Sequence, residues 1–195
     1  MSEHGHHALF SHAAYHPGGR AAEMVAHTGY QVDGELSNRN RTAFHHPGTG
    51  HTVVAFRGTN PFNPFDWIAN SHILRGTEWA SSRFRTSHAV VRKANKKYGI
   101  GNVTVTGHSL GGSQALDVNR RLGNDAVAYN PGAGLGDLTR DIVARAFGPA
   151  IKKKATATIL SAPGDPIGTL GLFSGERRVW VKPRTKNPHS LKNFL

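Results

Sequence analysis

The chain has 195 residues, with 24 Lys and Arg against 12 Asp and Glu, so the formal net charge is +12. A chain of this length makes one domain and buries about 70% of its unfolded surface, enough for a core without staples. The absence of cysteine excludes disulfides, Cys-ligated zinc and iron–sulfur clusters, and the excess of positive charge points to an anionic partner.

Residues 1–19 hold His4, His6, His7, His12 and His16 ahead of the breaker Pro17-Gly18-Gly19, and read as a mobile, weakly basic His-rich arm. A metal site is the alternative there, but Glu3 is its only acidic co-ligand nearby. The polar amino terminus lacks the apolar stretch of a secretory signal, and no run approaches a transmembrane helix. The expected location is the cytoplasm or a virus particle.

Residues 20–195 read as a single domain of alternating strands and helices. Arg20–Ala26 is a short helix, and Tyr30–Val32 and Leu36–Phe44 are strands. Thr52–Phe56 is a β-branched apolar run after the turn His45–Gly50, as expected for an interior strand. Arg83–Tyr98 has helical spacing, stopped by Gly99-Ile100-Gly101. Asn102–Thr106 is a strand, Ser109–Leu122 a helix, Ala126–Tyr129 a strand and Leu138–Phe147 a helix. Thr156–Leu160 and Arg178–Val181 complete the set. The alternation predicts an α/β fold whose mostly parallel sheet carries helices on both faces.

Gly107-His108-Ser109-Leu110-Gly111 is a G-x-S-x-G pentapeptide, which chance alone supplies in roughly one chain in six of this composition. Its position between a strand and a helix sharpens it, because a tight turn there lifts a serine hydroxyl above the sheet. The competing reading is a glycine-rich turn cradling a phosphate. On an elbow scaffold the acid and then the histidine follow the serine in chain order. His189 is the one histidine downstream of Ser109. Among the downstream acids, Asp117 falls inside a helix, Asp125 precedes a strand, and Asp137 and Asp141 open or occupy a helix. Asp165 stands in the loop after the Thr156–Leu160 strand, where sites on such sheets assemble, with Glu176 second. Serine is a poor nucleophile until a base takes its proton, and the oxyanion needs donors. The Leu110 amide supplies one donor and the Ala55–Thr59 turn, ending in Thr59, the other.

These segments together resemble the class 3, or fungal-type, lipases of the α/β-hydrolase fold. The matching residues are Ala55-Phe56-Arg57-Gly58-Thr59, Asp66-Trp67-Ile68-Ala69-Asn70, Val105 to Gly112, Gly164-Asp165-Pro166-Ile167 and His189, in that order. The resemblance implies Ser109 as nucleophile, Asp165 as acid, His189 as base, and Thr59 with Leu110 at the oxyanion hole. It also implies a lipid ester substrate, acylglycerol or phospholipid, and calls for no cofactor or metal. The chain is short for the family. Its lid-like segment, Asn60–Ile68, offers Phe62, Phe65 and Ile68 either as a small flap or as core anchors. Leu172 and Phe173 line the opposite wall of an acyl pocket or simply fill the core.

The basic residues cluster at Arg83–Lys97, at Lys152–Lys154 and at Arg177–Lys192. An anionic membrane surface is one partner of matching chemistry. Nucleic acid is another, although no aromatic-interleaved basic motif is present. The competing class of function is a non-catalytic basic virion or membrane-associated protein that keeps the hydrolase fold. Oligomeric state is not encoded in any motif.

Overall fold

The computed structural model describes residues 3–16, 18–58, 78–131, 155–165 and 177–195. Among them, seven strands form one sheet in chain order: β1 (Gln31–Asn38), β2 (Arg41–His45), β3 (Thr52–Phe56), β4 (Val103–His108), β5 (Asp125–Tyr129), β6 (Ala157–Ser161) and β7 (Arg177–Trp180). β1, β2 and β3 pair antiparallel, and every pairing from β3 to β7 is parallel. The helices are α1 (Glu3–Ala13), α2 (Gly19–Val25), α3 (Glu78–Tyr98) and α4 (Leu110–Leu122). This is the expected α/β architecture.

Strand alternation sorts the core onto the two faces. Val54, Phe56, Val103, Val105 and Ala126 point to one face, where Val90, Val91 and Ala94 of α3 and Ala115 and Val118 of α4 cover them. The apolar positions of α3 recur at helical spacing, so one stripe of the helix meets the sheet. Val53 and Ala55 point to the other face, onto Phe10, Ala13 and Ala14 and onto Ala21 and Val25 of α2. Burying each of the larger side chains contributes about 1.5–3 kcal/mol relative to leaving it in water.

Two expectations are corrected. Residues 3–13, expected within a mobile arm, are helix α1, whose Ala8, Phe10, Ser11 and Ala13 are buried. Phe10 packs 5.0 Å from Phe44 and 4.7 Å from Tyr30, centroid to centroid. The helix is hard to see in sequence because it seats itself through alanines and one phenylalanine among histidines. The single strand expected over Leu36–Phe44 is a hairpin: the Asn38 side chain accepts the Asn40 amide at 2.9 Å and turns the chain between β1 and β2. The helix expected over Leu138–Phe147 lies outside the described residues.

Candidate active site

The carboxyl ends of β3, β4, β5 and β6 carry the site. β4 runs into α4 through Ser109, whose backbone is held at φ 57°, ψ −126°. A non-glycine residue in this region costs of order 1–3 kcal/mol and persists only where its surroundings overdetermine it. Those surroundings are close backbone approaches. A Cβ on Gly111 would land on the Phe56 carbonyl oxygen, and one on Gly107 would land on the Gly111 carbonyl group. Only glycine lets β3, β4 and α4 come this near each other, so the glycines of the pentapeptide are spent on packing. The Ser109 amide donates to the Tyr129 carbonyl at 3.0 Å, which ties the elbow to β5.

Two carboxyl-terminal segments complete the arrangement. Asp165 follows β6, and its Oδ2 accepts from His189 Nδ1 at 2.9 Å; both residues are buried. That bond places the proton on Nδ1 and leaves Nε2 as the basic nitrogen of the His189 ring. The His189 ring lies 4.7 Å from the ring of His108, the residue before Ser109. His108 Nε2 donates to the His189 carbonyl at 2.7 Å. The Asp165–His189 pair thus lies beside the serine elbow. Gly58, at the end of β3, lies against it too: a Cβ there would stand 3.3 Å from Ser109 Cβ.

The other described acids downstream of Ser109 are engaged elsewhere. Asp117, in α4, accepts from His88 at 2.7 Å and from Arg121 at 2.9 Å, and so pins α3 to α4. Asp125 caps the approach to β6 through the Thr156 amide. Asp137, Asp141 and Glu176 lie outside the described residues, as do Thr59, Phe62, Phe65, Ile68, Leu172 and Phe173. Leu110, the other residue expected at the oxyanion hole, is the first residue of α4, where backbone amides have no partner within the helix.

Sequence reasoning missed the residues that hold the His189 loop. Asn130, at φ 39° and fully buried, donates to the Pro188 carbonyl and accepts from the Ala162 amide, both at 2.9 Å. Its one side chain therefore joins the segment of Asp165 to the segment of His189. Asn193 donates to the Asn187 and Pro188 carbonyls at 3.0 Å and accepts from the Arg184 and Thr185 amides. The only local signal for Asn130 is an asparagine directly after a strand, a position that tolerates positive φ.

Residues 26–170 match the model of the phospholipase-like family, described as a Tle-like phospholipase domain. The chain belongs to this family. The Tle-like domain is 32% identical over 102 residues to an extracellular phospholipase A1 of Serratia liquefaciens, a match that covers 52% of this chain and 30% of that protein. Two solved lipases share the fold. The Lip2 lipase of Yarrowia lipolytica gives a TM-score of 0.56 at 16% identity, covering 96% of this chain and 82% of the lipase. Lipase II of Rhizopus niveus gives 0.57 at 15%, covering 94% and 79%. The Tle-like domain thus has the α/β-hydrolase fold, and its match spans less than a third of the length of the phospholipase A1. No helix among the described residues is long and apolar enough to cross a membrane.

Proposed function

We propose that the protein is a serine carboxylic-ester hydrolase that acts on lipid esters through an acyl-enzyme. The observation that carries this reading is the strained, positive-φ Ser109 at a strand-to-helix elbow, beside a buried Asp165–His189 pair. In this reading Ser109 Oγ attacks the ester carbonyl carbon while His189 Nε2 takes the hydroxyl proton. Asp165 holds the imidazole in the required tautomer and stabilises the imidazolium. The oxyanion develops against the Leu110 amide, with Thr59 as the second donor. As the C–O bond to the alcohol breaks, His189 returns the proton to the departing oxygen. Water then repeats the sequence, His189 taking its proton and releasing the carboxylic acid and free Ser109.

The substrate class follows from relatives described as phospholipases and lipases, and the +12 charge favours acidic phospholipid over neutral fat. Each basic residue held near an anionic lipid surface contributes about 1 kcal/mol. The flap and acyl-pocket roles of Phe62, Phe65, Ile68, Leu172 and Phe173 belong to the same proposal.

A fluorophosphonate probe tests the mechanism. Native protein is expected to be labelled once per chain, Ser109→Ala to escape labelling, and the same variant to lose roughly 10⁴-fold or more in ester hydrolysis. Folded native protein that resists the probe overturns the reading and leaves a non-catalytic hydrolase scaffold.

A further inference from the structure

α1 and the residue before the nucleophile share a buried connection that the reaction above does not use. Tyr15, just beyond α1, sets its hydroxyl 3.2 Å from His108 Nδ1. His108 Nε2 faces the His189 carbonyl at 2.7 Å, and a carbonyl only accepts. His108 must therefore carry its proton on Nε2, which makes Nδ1 an acceptor and Tyr15 the donor. The Tyr15 hydroxyl also lies against Gly58. A Cβ on Gly58 would stand 2.5 Å from that oxygen and 2.5 Å from the His108 carbonyl, so the three groups are in close register. Both bonds in the series have one direction, from Tyr15 through His108 to the main chain of His189, and Gly58 at the end of β3 is packed against them.

We infer that Tyr15 and His108 are positioning residues that hold His189 in register with the Ser109 elbow and the end of β3. The inference rests on the proposed roles of Ser109 and His189. Its physical content is that the His189 backbone is fixed from three sides. Asn130 and Asn193 bond the Pro188 carbonyl, Asn193 the Asn187 carbonyl, and His108 the His189 carbonyl itself. The first two would hold the loop in any scaffold protein. The third depends on an imidazole placed next to the nucleophile, and on a tyrosine that follows α1 on the same face of the sheet.

The chemistry of His108 suits that task. Full burial, and next to it the neighbouring His189, push its pKa down to about 3, against the opposing effect of the bond to the His189 carbonyl and of Asp165. It therefore stays neutral beside His189 and does not oppose the positive charge that His189 acquires in the reaction. Tyr15 is equally committed: burial raises its pKa well above the ordinary phenol value, so it keeps the proton it donates. The Arg57 guanidinium lies 5.6 Å over its ring. A leucine at position 108 would fill the space without any of this directionality.

The test compares Tyr15→Phe, His108→Gln and His108→Leu with the native chain, in turnover of a soluble p-nitrophenyl butyrate ester normalised to fluorophosphonate-titrated sites. Tyr15→Phe removes one oxygen and is expected to lower kcat about tenfold, with KM within about twofold. His108→Leu is expected to lower kcat further. His108→Gln, whose Nε2–H still reaches the His189 carbonyl, is expected to recover much of the loss. Native kcat in folded Tyr15→Phe and His108→Leu overturns the inference. If His108→Leu does not fold, Tyr15→Phe and His108→Gln decide alone. ¹⁵N-histidine NMR separates this inference from the proposed function. An inactive native protein whose His108 sits as the Nε2–H tautomer fails the function and keeps the relay. A mixed His108 tautomer in active native protein fails the relay and keeps the function.

Discussion

Two tyrosine–histidine pairs flank the sheet at its opposite ends, built from the same chemistry. At the amino end of β4, Tyr30 meets His51 Nδ1 at 2.8 Å, and His51 Nε2 meets the Thr104 hydroxyl at 2.9 Å. At the carboxyl end, Tyr15 meets His108 Nδ1, and His108 Nε2 meets the His189 carbonyl. The first series ends on a hydroxyl, which donates or accepts, so either tautomer of His51 satisfies it. The second ends on a carbonyl, which dictates one tautomer and one direction. His51 is half-buried and His108 wholly buried. What separates the two series is thus the group at the end of each, and how little freedom that group leaves.

The largest way to break this contrast is steric. Gly111→Ala drives a methyl group into the Phe56 carbonyl and cannot be relieved by a side-chain rotation, so it is expected to cost more than about 3 kcal/mol or to prevent folding. Gly101→Ala, in the turn before β4 at the opposite end, meets no atom within 4 Å and is expected to change stability by less than about 0.5 kcal/mol. Urea titrations of both variants measure the difference. Equal tolerance would mean that the elbow is not the tightly packed end.

Acid sensitivity sharpens the comparison next. The unfolded chain protonates histidine near 6.5, whereas folded His108 takes a proton only near 3. Between those values the unfolded state binds more protons, so stability is fully present above pH 6.5 and falls as pH drops through the window. The slope from this one group is about 1 kcal/mol per pH unit. His51 is lowered in the same sense, by burial and then by His46, with Asp125 opposing, and adds a smaller slope of the same sign. His108→Gln is therefore expected to flatten the pH dependence of the urea midpoint more than His51→Gln does.

The smallest effect separates the two tyrosines. Tyr30→Phe removes a hydroxyl that bonds a half-buried histidine and is expected to cost about 1 kcal/mol of stability with kcat unchanged. Tyr15→Phe is expected to cost kcat as well. A Tyr30→Phe variant that loses turnover like Tyr15→Phe would erase the distinction between the two ends.

Much of this molecule is legible in the chain, and the parts that are not share a cause. β3, β4 and β5 are apolar runs bounded by turns, and α3 shows its stripe, because buried strands and amphipathic helices leave a periodic record. The elbow is legible because close packing demands glycine at Gly107 and Gly111. The pairing of Asp165 with His189 is anticipated by chain order and by the placement of Asp165 after a strand. α1 escapes notice because alanines bury little area per residue and histidines obscure the stripe. Asn130 and Tyr15 leave no pattern, because each acts through one or two bonds to groups far away in sequence, and Asn193 leaves none because its bonds depend on how the loop before it folds back.

The α/β alternation, the tight turn at Ser109 and the order of Ser109, Asp165 and His189 were thus readable from the chain alone, because they rest on local sterics, periodicity and chain order. The same text carried the +12 charge without saying where it lies. Packing alone made the histidine-rich residues 3–13 a helix seated on the sheet, and brought Tyr15 to the residue before Ser109. The physical reason is that hydrogen-bond direction depends on which group lies opposite, and that group is set by packing between segments the sequence keeps 93 and 81 residues apart.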